Sequence, residues 1–254
     1  MIYLFKLLFA HIIADFPLQP STMVNAKQSK SCYTSSFALL IHSLIHAVLA
    51  YVIIAIWTNW LIPLVVFLSH LIIDITKIKV PQCGIITKSK ATLFIIDQLA
   101  HILVLGLLSY FIFLKPDKIL DMDQLFNNFN LWIIAMSYLL VLKPSSILLR
   151  QFLERWTPSK RTESEEYVCL KNNNSLQSAG VWIGYIERVM ILTFIFLNYF
   201  EGIGFLLAAK SIFCFGDLKE PSEVKHTEYV LVGTLASFAI ATIIGGIAFT
   251  LTRI

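Results

Sequence analysis

Residues 11–101 decide the fold, because four apolar runs in and around them each carry one polar pair: LLFAHIIADF (7–16), ALLIHSLIHAVL (38–49), FLSHLIIDI (67–75) and FIIDQLAHILVL (94–105). The pairs are His11 with Asp15, His42 with His46, His70 with Asp74, and Asp97 with His101. A spacing of four puts both members on one helix face, one turn apart. Such side chains are costly against acyl chains, so the pattern predicts that they face a bundle interior or a wet cavity.

Composition says the runs are membrane helices. The chain has 254 residues, of which 57% are hydrophobic and 14% charged, with a mean hydropathy of +0.75. Soluble domains are closer to a quarter charged. Hydrophobic segments are expected at about 2–19, 36–57, 61–78, 92–114, 129–149, 179–200 and 228–251, several of them near the ~20 residues a bilayer requires. The expected fold is an all-α, polytopic transmembrane bundle of about seven segments. A shorter apolar stretch at 201–216 is expected to be re-entrant or interfacial. Trp57, Trp60, Trp132, Trp156 and Trp182 lie near the ends of these segments, where amphipathic rings favour the interface. The first segment holds His11 and Asp15 and has no small-residue cleavage site, so it reads as a retained helix rather than a signal peptide.

The polar stretch 157–178 reads as a cytoplasmic linker between a five-helix half (1–156) and a carboxyl-terminal half (179–254). Basic residues collect in the first, third and fifth loops: Lys27 and Lys30, then Lys77, Lys79, Lys88 and Lys90, then Lys143, Arg150, Arg155, Lys160, Arg161 and Lys171. The opposite loops carry Lys115, Lys118, Lys210, Lys219 and Lys225. The positive-inside rule then puts the amino terminus outside and the carboxyl terminus in the cytoplasm. The net charge of +4 gives no reason to expect nucleic acid, and the scattered Cys32, Cys83, Cys169 and Cys214 show no zinc-finger spacing.

With antiparallel neighbours, the late positions of His11/Asp15 and His70/Asp74 and the early positions of His42/His46 and Asp97/His101 fall at one depth, in the cytoplasmic leaflet. His11, His42, His46, His70, Asp74, Asp97 and His101 are therefore the candidate metal ligands, and Asp15, Asp74 and Asp97 the candidate catalytic carboxylates. Nitrogen and oxygen donors of this kind suit a divalent transition metal, Zn²⁺ first, with Mn²⁺ or Fe as alternatives. The set exceeds one zinc shell, so either two metals bind or some members orient the ligands. Lys27 and Lys77 are candidates for an anionic substrate group, although Asp74 and Lys77 also fit a plain i,i+3 ion pair.

In the carboxyl-terminal half, Gly180 and Gly184 read as a close-packing face. Glu187, Arg188, Lys210, Ser211 and Glu228 are candidate substrate contacts, and Glu228, Thr234 and Ser237 are spaced for one helix face. His226 reads as a solvated loop residue.

HIIADFPLQP (11–20), HSLIH (42–46), HLIIDITK (70–77) and DQLAH (97–101) together resemble the bacterial membrane family known as domain of unknown function 3307. GVWIGYIERVMILT (180–193), GFLLAAKSIFCFGDL (204–218) and EYVLVGTLASF (228–238) look like that family's later half. The polar pattern is also similar to membrane-bound metal-dependent hydrolases. The family resemblance implies a protein of the bacterial cytoplasmic membrane and carries no activity with it; the reading preferred from the residues is a metal-dependent hydrolase of a lipid or another small amphipathic molecule, with membrane lipids as surroundings and a homo-oligomer left open. The same residues would also serve a transporter or a proton or ion pathway, and a non-enzymatic interaction or signalling protein is the third reading.

Overall fold

The computed structural model describes residues 2–29, 31–82, 90–114, 128–153, 166–215 and 221–253. The side chains of residues 32, 80–82, 90, 91, 113, 166–179, 213–215 and 221–229 are not part of that description. Outside the described residues or side chains therefore lie the four cysteines, Trp156, His226, Glu228 and the loop cations Lys30, Lys88, Lys90, Lys115, Lys118, Arg155, Lys160, Arg161, Lys171, Lys219 and Lys225.

The described residues form ten helices and no strand: α1 (Ile2–Asp15), α2 (Ser21–Lys27), α3 (Cys32–Ile54), α4 (Leu61–Gln82), α5 (Lys90–Leu114), α6 (Phe129–Val141), α7 (Lys143–Leu153), α8 (Glu166–Phe196), α9 (Phe200–Phe215) and α10 (Pro221–Thr252). The chain is an all-α membrane bundle. Five stretches are long and apolar enough to cross a membrane: Tyr33–Ile54, Leu61–Lys79, Thr92–Ile112, Phe129–Leu153 and Val230–Thr252. The expected seven are not all reached among the described residues. α1 has 14 residues, so at ~1.5 Å per residue it is about 21 Å long, short of the ~30 Å hydrocarbon layer. Pro17 and Pro20 follow at once and cannot continue it.

Local chemistry sets the other helix ends. α3 closes on Ala55, which takes a left-handed conformation (φ 58°) and donates its N–H to Tyr51 O at 3.1 Å. Asn59 Oδ1 accepts from Leu61 N at 3.2 Å and caps the start of α4. Tyr51 stacks on Trp60 at this turn, an aromatic pair at the level where a membrane interface is expected.

Two observations concern chain organisation. Residues 166–178, expected to be linker, form the first part of α8. That stretch contains neither Gly nor Pro, so its polarity argues against burial in lipid without arguing against a helix. The chain also divides into compact units at Met136/Ser137, inside α6, rather than near residue 156.

In the first unit, α1 packs on α3 and α5, α3 on α4, and α4 on α5, which closes a ring of four helices. The inner face of each helix is two-toned. Leu7, Ala10, Ala50, Ile54, Ile62, Val66, Leu105, Leu108 and Ile112 form a buried apolar core. The polar pairs continue the same faces at helical spacing, as in Ile62, Val66, His70 and Asp74 on α4. The outward face of α5 carries exposed Ile95, Leu99, Leu103, Leu107 and Phe111, which suit lipid.

In the second unit, α10 packs on α7, α8 and α9 around Val141, Ile191, Leu192, Ile195, Phe238 and Ala241. The glycine expectation is corrected here. A Cβ on Gly180 would meet nothing within 4 Å, and one on Gly184 would meet only the Arg188 guanidinium of its own helix. The close approach belongs to Gly245 of α10, whose Cβ would stand 2.5 Å from Ile195 Cδ1 and 3.0 Å from Leu192 Cδ1.

Candidate metal centre

All eight members of the four pairs converge in the ring of α1, α3, α4 and α5. Seven are buried, and the Asp15 side chain is 12% exposed. Asp15, at the last turn of α1, is central. Its Oδ1 lies 3.0 Å from His42 Nε2 and 3.2 Å from His46 Nε2, and those two nitrogens are 3.2 Å apart. Its Oδ2 lies 3.4 Å from His11 Nε2. His70 Nε2 is 3.9 Å from Asp15 Oδ1 and 3.7 Å from Asp74 Oδ2, while His101 Nε2 is 3.7 Å from Asp97 Oδ1. The imidazoles are crowded, with ring centroids 3.6 Å apart for His46–His70 and 4.3 Å for His70–His101.

Three overlapping groups have donor atoms within 4.8 Å of one another and can hold a metal ion: Asp15, His42, His46 and His70; His11, His70 and His101; Asp74, Asp97 and His101. The donor chemistry fits. Zn–N and Zn–O bonds of about 2.0–2.1 Å in a tetrahedron imply ligand–ligand edges of roughly 3.3 Å. The Asp15 Oδ1, His42 Nε2 and His46 Nε2 triangle has edges of 3.0, 3.2 and 3.2 Å. Moreover, His11 Nε2, His70 Nε2, His101 Nε2 and Asp97 Oδ1 are buried with no hydrogen-bond partner, a costly condition that a shared cation would relieve.

Two lysines neutralise the outer carboxylates. Lys27 Nζ donates to Asp74 Oδ2 at 2.6 Å, and Lys77 Nζ to Asp97 Oδ2 at 2.6 Å. Lys77 thus bonds across to α5 rather than to Asp74, the i,i+3 partner that was the alternative reading. Burial pulls the Lys27 ammonium below its ordinary pKa, against the opposing pull of the Asp74 carboxylate. Lys27 also lines a cleft of about 580 Å³ between α2, α3 and α4. Leu39, Leu40, Leu71, Ile75 and Ile78 make its apolar wall, and Ser29, Ser35 and Lys79 join Lys27 on the polar side.

Sequence reasoning missed Gln98 and Gln19. Gln98 Nε2 donates to Asp15 Oδ2 at 3.2 Å and to Asp97 Oδ2 at 3.3 Å. With its amide oriented to satisfy its neighbours, Gln19 donates to Asp15 O at 3.1 Å and accepts from Lys27 Nζ at 2.7 Å. Gln98 stands beside Asp97 in DQLAH, an amide in an apolar run, and that was its signal; Gln19 lies between Leu18 and Pro20 beyond the end of α1 and offered none.

The carboxyl-terminal candidates sit in the second unit. Lys210 Nζ donates to Glu187 Oε2 at 2.6 Å, and Ser211 Oγ returns to Leu207 O one turn back. Arg188 donates through Nε to Val141 O at 2.5 Å, through Nη1 to Ser237 Oγ at 2.9 Å and through Nη2 to Ser146 Oγ at 2.6 Å. Pro144, with no N–H, lies just beyond the break between α6 and α7, where Ser145 Oγ donates to Leu140 O at 2.6 Å. Arg188 and Ser145 thus satisfy carbonyls at that break.

A family profile described as a protein of unknown function (DUF3307) matches residues 3–140. The stretches at 180–193, 204–218 and 228–238 that resembled the family's later half fall outside the match. No curated protein and no solved structure matches the chain.

Proposed function

The chain belongs to the DUF3307 family of proteins of unknown function, and because the matched residues hold the entire His/Asp cluster, we propose that this cluster is a metal centre for hydrolysis of an amphipathic substrate at the cytoplasmic leaflet. The observation that carries the reading is the Asp15–His42–His46 triangle, whose edges of 3.0, 3.2 and 3.2 Å are close to those of a tetrahedral metal shell. Zinc is the first candidate and Mn²⁺ or Fe the alternatives, since imidazole with carboxylate suits all three.

Asp15, His42 and His46 would hold a divalent ion, which would supply activation of water as a nucleophile near neutral pH. The remaining steps fall to side chains. Asp74 stands beside the triangle, 4.0 Å from His42 Nε2 and 3.7 Å from His70 Nε2, and is the proton acceptor. Water oxygen bonds to the acyl carbon or phosphorus of the substrate, and the leaving oxygen or nitrogen departs with the proton Asp74 has taken. Lys27, bonded to Asp74 and facing the cleft, offsets negative charge on the substrate. The cleft lies within the usual range for small-molecule sites, and its leucine and isoleucine wall beside two lysines suits an apolar chain with an anionic head.

Metal analysis of the detergent-purified protein tests the reading. Stoichiometric transition metal is expected, falling by at least about tenfold in apparent affinity for His46→Ala, since losing a ligand exceeds the ~10–100-fold effect of losing a supporting group. Metal-free protein that conducts ions in liposomes through Asp74 and Asp97 would replace this reading with an ion pathway.

A further inference from the structure

We propose that the centre is binuclear, with Asp15 as the bridging carboxylate between two divalent ions. The inference rests on the metal-centre reading above and extends it from one ion to two. Asp15 presents its oxygens to different imidazole sets. Oδ1 faces His42 and His46 at 3.0 and 3.2 Å, and Oδ2 faces His11 at 3.4 Å. Each distance is close to the roughly 3.3 Å edge of a tetrahedral shell. One four-coordinate ion on the first triangle leaves the buried His11 and His101 nitrogens without a hydrogen bond, and a second ion takes them up.

The ligands of the second ion are buried groups without a hydrogen bond. His11 Nε2, His101 Nε2 and Asp97 Oδ1 have no hydrogen bond, and these residues are only 4%, 3% and 5% exposed. His11 and His101 belong to one group with donor atoms within 4.8 Å, and His101 and Asp97 to another. Neutral imidazoles with converging lone pairs repel, and imidazolium ions crowded together repel more strongly. A cation between them removes both problems.

His70 lies within reach of both sets. An imidazole nitrogen has one lone pair, so His70 completes the shell of one ion only. Gln98 fixes the bridge by donating to Asp15 Oδ2 and Asp97 Oδ2 while leaving Asp97 Oδ1 free for the second ion. A bridging carboxylate fits the ~3.5–4 Å separation typical of two-metal hydrolytic sites. Such a pair clamps both the attacking water and the leaving oxygen, which fits hydrolysis of an ester or phosphoester better than transport of a single ion.

The test is Mn²⁺ loading of the detergent-purified chain, read by metal analysis and low-temperature electron paramagnetic resonance. Two ions per chain with a spin-coupled spectrum are expected. Replacing His11 and His101 together by Ala should leave one ion with an isolated-ion spectrum, and His42→Ala with His46→Ala should do the same from the other side. One ion per chain, unaffected by the His11 and His101 changes, would overturn the binuclear proposal while sparing the metal-centre reading. Two ions without spin coupling would overturn the bridge. No ion at all would remove both. Should a double variant fail to fold, judged by gel filtration, the native protein alone still decides between a coupled pair and an isolated ion.

Discussion

Gln98 joins carboxylates from two helices, since its one amide donates to Asp15 on α1 and to Asp97 on its own helix. Amides and carboxylates that orient ligands typically contribute 10–100-fold to metal affinity. Gln98→Leu should therefore weaken metal binding by about 10–100-fold, measured by competition with a chelator, without lowering the number of ions held at saturation. Arg188 carries a different residue-scale prediction. Its guanidinium serves Val141 O, Ser146 and Ser237, so Arg188→Met strands a buried carbonyl along with two hydroxyls. Denaturant or thermal unfolding should register a loss of at least about 2 kcal/mol, and Arg188→Lys should not rescue it, because one ammonium cannot reach three diverging acceptors.

At the scale of elements, α8 and α10 meet at Gly245 and leave its neighbour open. Gly245→Val drives side-chain atoms into Ile195 and Leu192 and should cost about 1–3 kcal/mol. Gly246→Ala meets nothing within 4 Å and should be neutral or stabilising by up to about 1 kcal/mol, because alanine is the better helix former. Parallel thermal melts of the two variants check the contrast. The same helices mark where sequence reasoning reached and where it ended. The four polar pairs were legible because helical spacing and lipid cost act within each segment. Gly180 and Gly184 misled because a small-residue spacing states only that two helices can approach, and no described neighbour does so. The break after Val141 had its sign in Pro144, whereas the Lys27–Asp74 bond spans 47 residues and depends on how α2 returns over α3. Polarity did not reveal the helix over residues 166–178, because helix formation in water is governed by Gly and Pro more than by charge.

For the whole molecule, the orientation proposed from the loop lysines of the sequence can be checked. A reporter fused after Arg253 should be active in the form that requires the cytoplasm and silent in the form that requires the outer side. The opposite result would move the metal centre to the outer leaflet and leave its geometry unchanged. Beneath the His/Asp layer, Leu7, Ala10, Ala50, Ile54, Ile62, Val66 and Leu105 form a buried apolar floor to the ring. On the proposed reading the chamber would be a blind alley, entered and left from the side of Lys27, so that products would return to the leaflet that delivered the substrate.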